Sequence, residues 1–168
     1  SVTEVPVTEP VGGLEGLGGV PCPDSDFTCV TLTVPLNHFD PNDSRTIDVV
    51  FAILPATGER KGMFVTATDF FDQRGVGLSG GLQCTNAAAE YYRTDADANT
   101  AEGEAVMVAS AQKFSTDCTA EMGNPEILPY LGTDQAVEDL ESFRLAMGDE
   151  KLWLYGESYG TQYVQTYA

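Results

Sequence analysis

Near the end of the chain a short, apolar-leaning run, KLWLY at 151–155, meets Gly156-Glu157-Ser158-Tyr159-Gly160 and then the stretch TQYVQTYA. The run has the length of a strand, and the stretch after it has helical composition. The pentapeptide between them must therefore convert a strand into a helix in a single turn. A turn that sharp forces strained backbone angles and tolerates only small neighbours, which accounts for the glycines two before and two after the serine. It presents the Ser158 hydroxyl where a base can reach it, and a serine hydroxyl unaided is a weak nucleophile. It also aims the backbone N–H of Tyr159 at the place where an oxyanion would form, beside a helix N-terminus. Ser158 is the candidate nucleophile and Tyr159 the candidate oxyanion donor, with Gly156 and Gly160 shaping the turn.

Upstream, residues 28–34 alternate Val30, Leu32 and Val34 with threonines, and 46–54 place Ile47, Val49, Phe51 and Ile53 on one face. Both have the period of half-buried strands. The turn formers between them, NHFDPNDS, predict an antiparallel pair. A third strand is expected over 62–68, and Phe70-Phe71 close a fourth that runs into a glycine loop. A helix is expected from about Ala101 to Thr116, with Ala105, Val108, Ala109 and Gln112 at helical spacing. A clearer one follows, capped by Thr133, with Ala136, Leu140, Phe143 and Met147 on one face and Gly148 stopping it. Antiparallel strands followed by helix–strand–helix describe an α/β protein: a mixed, mostly parallel sheet with helices on both faces. Residues 1–26 form a Pro/Gly-punctuated leader, extended over Ser1–Val20, and 27–168 the folded part.

With 168 residues, the chain is one domain or part of a larger one. Its 26 Asp+Glu outweigh 8 Lys+Arg, giving −18, and no basic cluster offsets this, which argues against nucleic-acid binding. Nothing approaches the run of about 18 apolar residues that a membrane span requires. Ser1–Pro10 has neither positive charge nor an apolar core, so an exported protein would already have lost its signal. Cys22, Cys29, Cys84 and Cys118 form no CxxC pair, and with His38 alone they cannot build a Cys/His zinc site. An even count in an acidic chain points to disulfides and an oxidising compartment. Three pairings are open; Cys22–Cys29, clipping a loop, with Cys84–Cys118, bracketing a helix, is the one favoured.

GESYGT at 156–161, DQRGVGLSG at 72–80, FTCVTLTVPLNHFDP at 27–41 and LGTDQAVEDLESFRLAMG at 131–148 together resemble the proline iminopeptidase/tripeptidyl aminopeptidase family of α/β-hydrolases, in its secreted branch with paired cysteines. The likeness runs from Cys22 to Ala168. It implies the N-terminal part of an α/β-hydrolase fold, a serine exopeptidase working through an acyl-enzyme, a peptide substrate and no cofactor or metal. The loop of Asp72, Gln73, Arg74, Gly75, Gly77 and Ser79 would be structural, with Asp72 and Arg74 paired locally.

Two departures stand out. Family members carry an oxyanion loop and a helix after the third strand, whereas here the sequence passes directly through Thr68–Asp69, as though a segment were missing. The acid and histidine of the triad follow the serine in this fold, so both are expected downstream, in a remainder or second chain of the same precursor. His38 lies upstream and reads as a turn residue. Glu157 is either a buried carboxylate near the site or a neutral variation. Asp95, Asp97 and Asn99 begin like a calcium loop, but Thr100 stands where glycine is needed and Val106 where the bidentate Glu belongs. Tyr91, Tyr92, Tyr163 and Tyr167 read as packing residues. The acidic balance could steer an ammonium group, although plain solubility accounts for it. The alternatives are an esterase or lipase on the same scaffold, or a truncated, non-catalytic module that binds a partner.

Overall fold

The computed structural model describes residues 13–67 and 71–168. The Thr68–Asp69 junction and the first part of the leader lie outside the described residues. The described chain divides into two compact units, one comprising the residues up to Gly80 with Pro129–Ala168, the other Gly81–Leu128.

In the first unit, α1 (Gly13–Gly16) is a single helical turn where an extended leader was expected. Leu14 and Leu17 draw it onto the core. β1 (Val20–Pro21) pairs antiparallel with β2 (Thr28–Pro35), and Cys22–Cys29 closes the loop between them. β2 pairs antiparallel with β3 (Thr46–Ile53) from Thr28↔Ile53 to Pro35↔Thr46. That register puts Val34, Val49 and Phe51 in the core, as the alternation predicts. β5 (Phe71–Asp72) joins the other edge of β3, also antiparallel. β4 (Met63–Ala67) and β6 (Leu152–Gly156) form a separate parallel pair.

The expectation of a mostly parallel sheet is thus corrected. Parallel neighbours need a helical crossover, and among the described strands only β4 and β6 have one, through α4 (Thr133–Met147). Helices were expected on both faces; among the described residues they cover one face of the β4–β6 pair. Met63 and Val65 pack with Leu140, Phe143 and Met147 of α4, joined by Leu152 and Leu154. On the opposite face of that pair, Phe64, Trp153 and Tyr155 are 66%, 60% and 52% exposed.

α4 buries Ala136, Leu140, Phe143 and Met147, stacks Phe143 on Phe51 at 3.9 Å, and ends on left-handed Gly148 at φ 72°. Its N-cap is Gly132 rather than Thr133. Thr133 is the first helical residue, and its hydroxyl goes to Tyr159. A turn of 3-10 helix, Pro125–Tyr130, precedes it. α5 (Gly160–Tyr167) follows β6.

The second unit pairs α2 (Thr85–Tyr91) with α3 (Ala101–Glu121). Thr100 caps α3, its Oγ1 accepting from Gly103 N–H at 3.0 Å. α2 has no side-chain cap of its own. Glu121 supplies one, accepting the N–H groups of Asn86 and Ala87, and those bonds hold its carboxyl below the usual carboxylate range. Ala105, Val108, Ala109 and Gln112 turn out exposed; Gly103, Met107, Ser110, Phe114 and Cys118 face inward. The inner face of α3 is set by α2, through Tyr91 against Phe114 at 5.2 Å, and by the Cys84–Cys118 disulfide.

That disulfide closes a loop with a sequence separation of 34. Replacing both cysteines by serine is expected to destabilise the second unit by roughly 3–4 kcal/mol. A urea titration followed by helical circular dichroism reads this directly, and an unchanged midpoint would refute it. No helix among the described residues is long and apolar enough to cross a membrane.

Candidate active site

Ser158 sits between β6 and α5 with φ 50° and is exposed. Glycine reaches that left-handed region freely; a serine there is strained by about 1–3 kcal/mol and stays only where its surroundings hold it. Two sets of contacts do so. A Cβ on Gly156 would run into the carbonyl of Gly160 and lie 2.7 Å from Cγ2 of Val164, so the strand end and the helix start touch backbone to backbone. The carbonyl of Ser158 accepts from the N–H and the hydroxyl of Thr161, at 3.2 and 2.7 Å, closing the first turn of α5.

Gly156→Ala is therefore expected to cost about 1–3 kcal/mol, the range for overpacking a tight contact, and to displace Ser158. Chemical denaturation measures the first; a variant as stable as the parent would show that strand and helix can separate freely.

Tyr159 opens α5 in a helical conformation, φ −64° and ψ −25°. Its hydroxyl shares a hydrogen bond with Oγ1 of Thr133 at 2.9 Å, and its ring meets that of Tyr163 edge-on at 5.1 Å. Tyr163 is buried and donates its hydroxyl to Oε1 of Gln73. Burial, with a smaller contribution from Tyr159, pushes this phenol up to about 12. Tyr167 donates to Glu141 at 2.7 Å. Glu157 is exposed, which removes the reading as a buried carboxylate.

The loop that begins at Asp72 departs from expectation. Asp72 and Arg74 do not pair with each other. Asp72 accepts the N–H of Leu78 at 2.8 Å, and a Cβ on Gly77, at φ 50°, would run into its carboxylate. Ser79, fully buried, donates to the Asp72 carbonyl and accepts the Val50 N–H at 2.8 Å, fastening the loop to β3.

Arg74 turns inward to Asp139. Nε and Nη2 bind its two carboxylate oxygens at 2.8 and 2.6 Å, and the remaining donors reach the carbonyls of Leu36, Tyr130 and Pro35 at 2.7, 3.1 and 3.2 Å. All five guanidinium N–H groups are thereby used. His38 completes the cluster, with Nε2 2.8 Å from Oδ1 of Asp139 and its backbone N–H donating to Gln135 at 2.9 Å. His38 lies in a turn, as expected, and its side chain in addition joins a buried polar cluster. Asp139 escaped the sequence reading, although an acid between Ala136, Leu140 and Phe143 on a buried stripe was visible as an anomaly.

Asp97 accepts the backbone and side-chain N–H groups of Asn99 at 3.0 and 2.9 Å, which lower its pKa, and Thr100 is engaged as a helix cap. This segment is a helix entry.

The chain is similar over part of its length to curated proteins. It is 35% identical over 101 residues to the serine protease Hip1 of Mycobacterium tuberculosis, covering 58% of this chain and 19% of that protein. It is 34% identical over 100 residues to the tripeptidyl aminopeptidase of Streptomyces lividans, covering 56% and 18%. YuaR of Escherichia coli, named only as a hydrolase, is 33% identical over 99 residues. The kinship is with hydrolases and peptidases. The matched stretch spans about a fifth of the length of those relatives. No family model matches the chain.

Proposed function

We propose that this chain carries the nucleophile of an exported serine hydrolase with the α/β-hydrolase fold, and that the enzyme is an aminopeptidase releasing residues or short peptides from peptide N-termini. The observation that carries the reading is Ser158: a non-glycine residue in the left-handed region, exposed, on a strand-to-helix turn closed by Gly156 against Gly160. Antiparallel strands followed by a helix-connected parallel pair support the fold, and the two disulfides support an oxidising compartment.

In the mechanism, Ser158 Oγ attacks the scissile carbonyl while an imidazole takes its proton. The Tyr159 N–H supports the oxyanion, and the same imidazole then protonates the leaving amine. Water releases the acyl-enzyme. His38 is committed to Asp139, so the imidazole and its orienting carboxylate come from sequence beyond this chain. The chemistry needs neither metal nor cofactor.

The test is a fluorophosphonate label on the full-length protein, with aminoacyl- and tripeptidyl-amide reporters run beside acyl esters. An adduct on Ser158 with amide cleavage is expected. Turnover of esters alone would end the peptidase reading. A protein taking no label would be a binding module.

A further inference from the structure

We propose that Gln73 is a positioning residue for Ser158, acting through Tyr163 and Tyr159. This rests on the reading of Ser158 as nucleophile and assigns part of the loop after β5 a task at that site.

A strained serine needs neighbours that over-determine it. The Gly156–Gly160 contact fixes the turn from beneath, but it does not fix the rotation of α5 about its own axis. That rotation decides where the Tyr159 N–H points. Two tyrosines set it. Tyr163, one turn into α5, is buried, and its hydroxyl donates to Gln73 Oε1. Tyr159 is held by Thr133 on one side and by the Tyr163 ring on the other.

The far end of this chain of contacts is rigid. Gln73 stands between Asp72, which binds the loop to itself through Leu78, and Arg74, whose five donors are saturated in the core. A buried phenol left without a partner is costly and would pull its ring, and with it the helix, toward another acceptor. Gln73 prevents that. The residue at 73 therefore has to offer an acceptor oxygen, and an apolar side chain of similar length does not.

Displacement of a reacting group by about 1 Å is worth up to about 100-fold in rate. In the full-length protein, Gln73→Leu and Tyr163→Phe are each expected to slow fluorophosphonate labelling and kcat about 10- to 100-fold with KM little changed. The double variant should be no slower than the slower single one. Gln73→Glu, which keeps an acceptor oxygen, should stay within about threefold of the parent. A merely structural role would lower the denaturation midpoint and leave the labelling rate of the folded fraction alone, and that pattern overturns the proposal, as does a Gln73→Glu variant as slow as Gln73→Leu.

Hydrogen exchange separates this inference from the nucleophile reading. The amides of Gly160 and Thr161 bond Glu157 and Ser158 at 2.8 and 3.2 Å. Gln73→Leu should speed their exchange about tenfold or more while those of Leu140 and Phe143 keep theirs. If the parent takes no label yet these two amides loosen selectively, the nucleophile reading falls and the positioning stands. If they do not loosen, the positioning falls whatever the label does.

Discussion

Ser158→Ala is expected to abolish covalent labelling of the full-length protein and to cut kcat on any amide substrate by roughly 10⁴–10⁶-fold, the loss found when the nucleophile of an acyl-enzyme mechanism is removed. The fold should survive. Alanine at φ 50° is strained about as much as serine, and the backbone contacts that hold the turn, Gly156 against Gly160 and the Ser158 carbonyl on Thr161, do not involve the hydroxyl. Ser158→Gly sharpens the test. Glycine adopts this conformation without penalty, so it should be as inactive as alanine yet more stable by about 1 kcal/mol, a rise of a few degrees in Tm. A catalytic serine kept at a cost in stability is the pattern of a site where function outweighs folding. The converse result, Ser158→Ala retaining labelling elsewhere and full turnover, would move the nucleophile off this turn.

What could be read from the sequence was whatever short-range physics decides. The alternation of Val30, Leu32 and Val34 against that of Val49 and Phe51 is local, and the strands pair in the register it requires. The stripe from Ala136 to Met147 and its stop at Gly148 are local as well. The Ser158 turn was legible because its glycines sit where the backbone needs them. Three features were not legible, each for a long-range reason. Arg74 has an acid two residues away, yet its partner is Asp139, 65 residues on, because burial makes a bidentate carboxylate on a fixed helix worth more than a solvated neighbour. The inner face of α3 is chosen by its disulfide and by α2 rather than by its own weak apolar pattern. The bare face of Phe64, Trp153 and Tyr155 looks on β4 and β6 like any buried strand pair, since parallel strands are apolar on both sides whether or not a helix is at hand. Thr133 shows the same limit on a smaller scale: its residue type suits a cap, but a tertiary partner, Tyr159, claims the hydroxyl.

Arg74→Met is expected to be the most destabilising single change in the first unit, by about 3–5 kcal/mol, enough to leave a domain of ordinary stability largely unfolded. Methionine fills much of the same volume, so packing loss is minor and the electrostatic consequence dominates. Asp139, with no exposed side-chain surface, would keep only the His38 contact, and the carbonyls of Leu36, Tyr130 and Pro35 would lose the guanidinium donors the structure gives them. Lysine should not rescue, because a single ammonium cannot span a carboxylate and three carbonyls arranged for a planar fork. The comparison that isolates the cause is the double variant Arg74→Met/Asp139→Leu. Exchanging both members of a buried ion pair for apolar residues removes the uncompensated charge, so the double variant should be more stable than Arg74→Met alone by a kcal/mol or more. Equilibrium urea unfolding of the three proteins measures this. If Arg74→Met costs less than about 1 kcal/mol, or if the second substitution only adds to its cost, then the cluster of Arg74, Asp139 and His38 is not what fastens the Asp72–Ser79 loop to α4, and Gln73 loses the rigid base from which it would hold Tyr163.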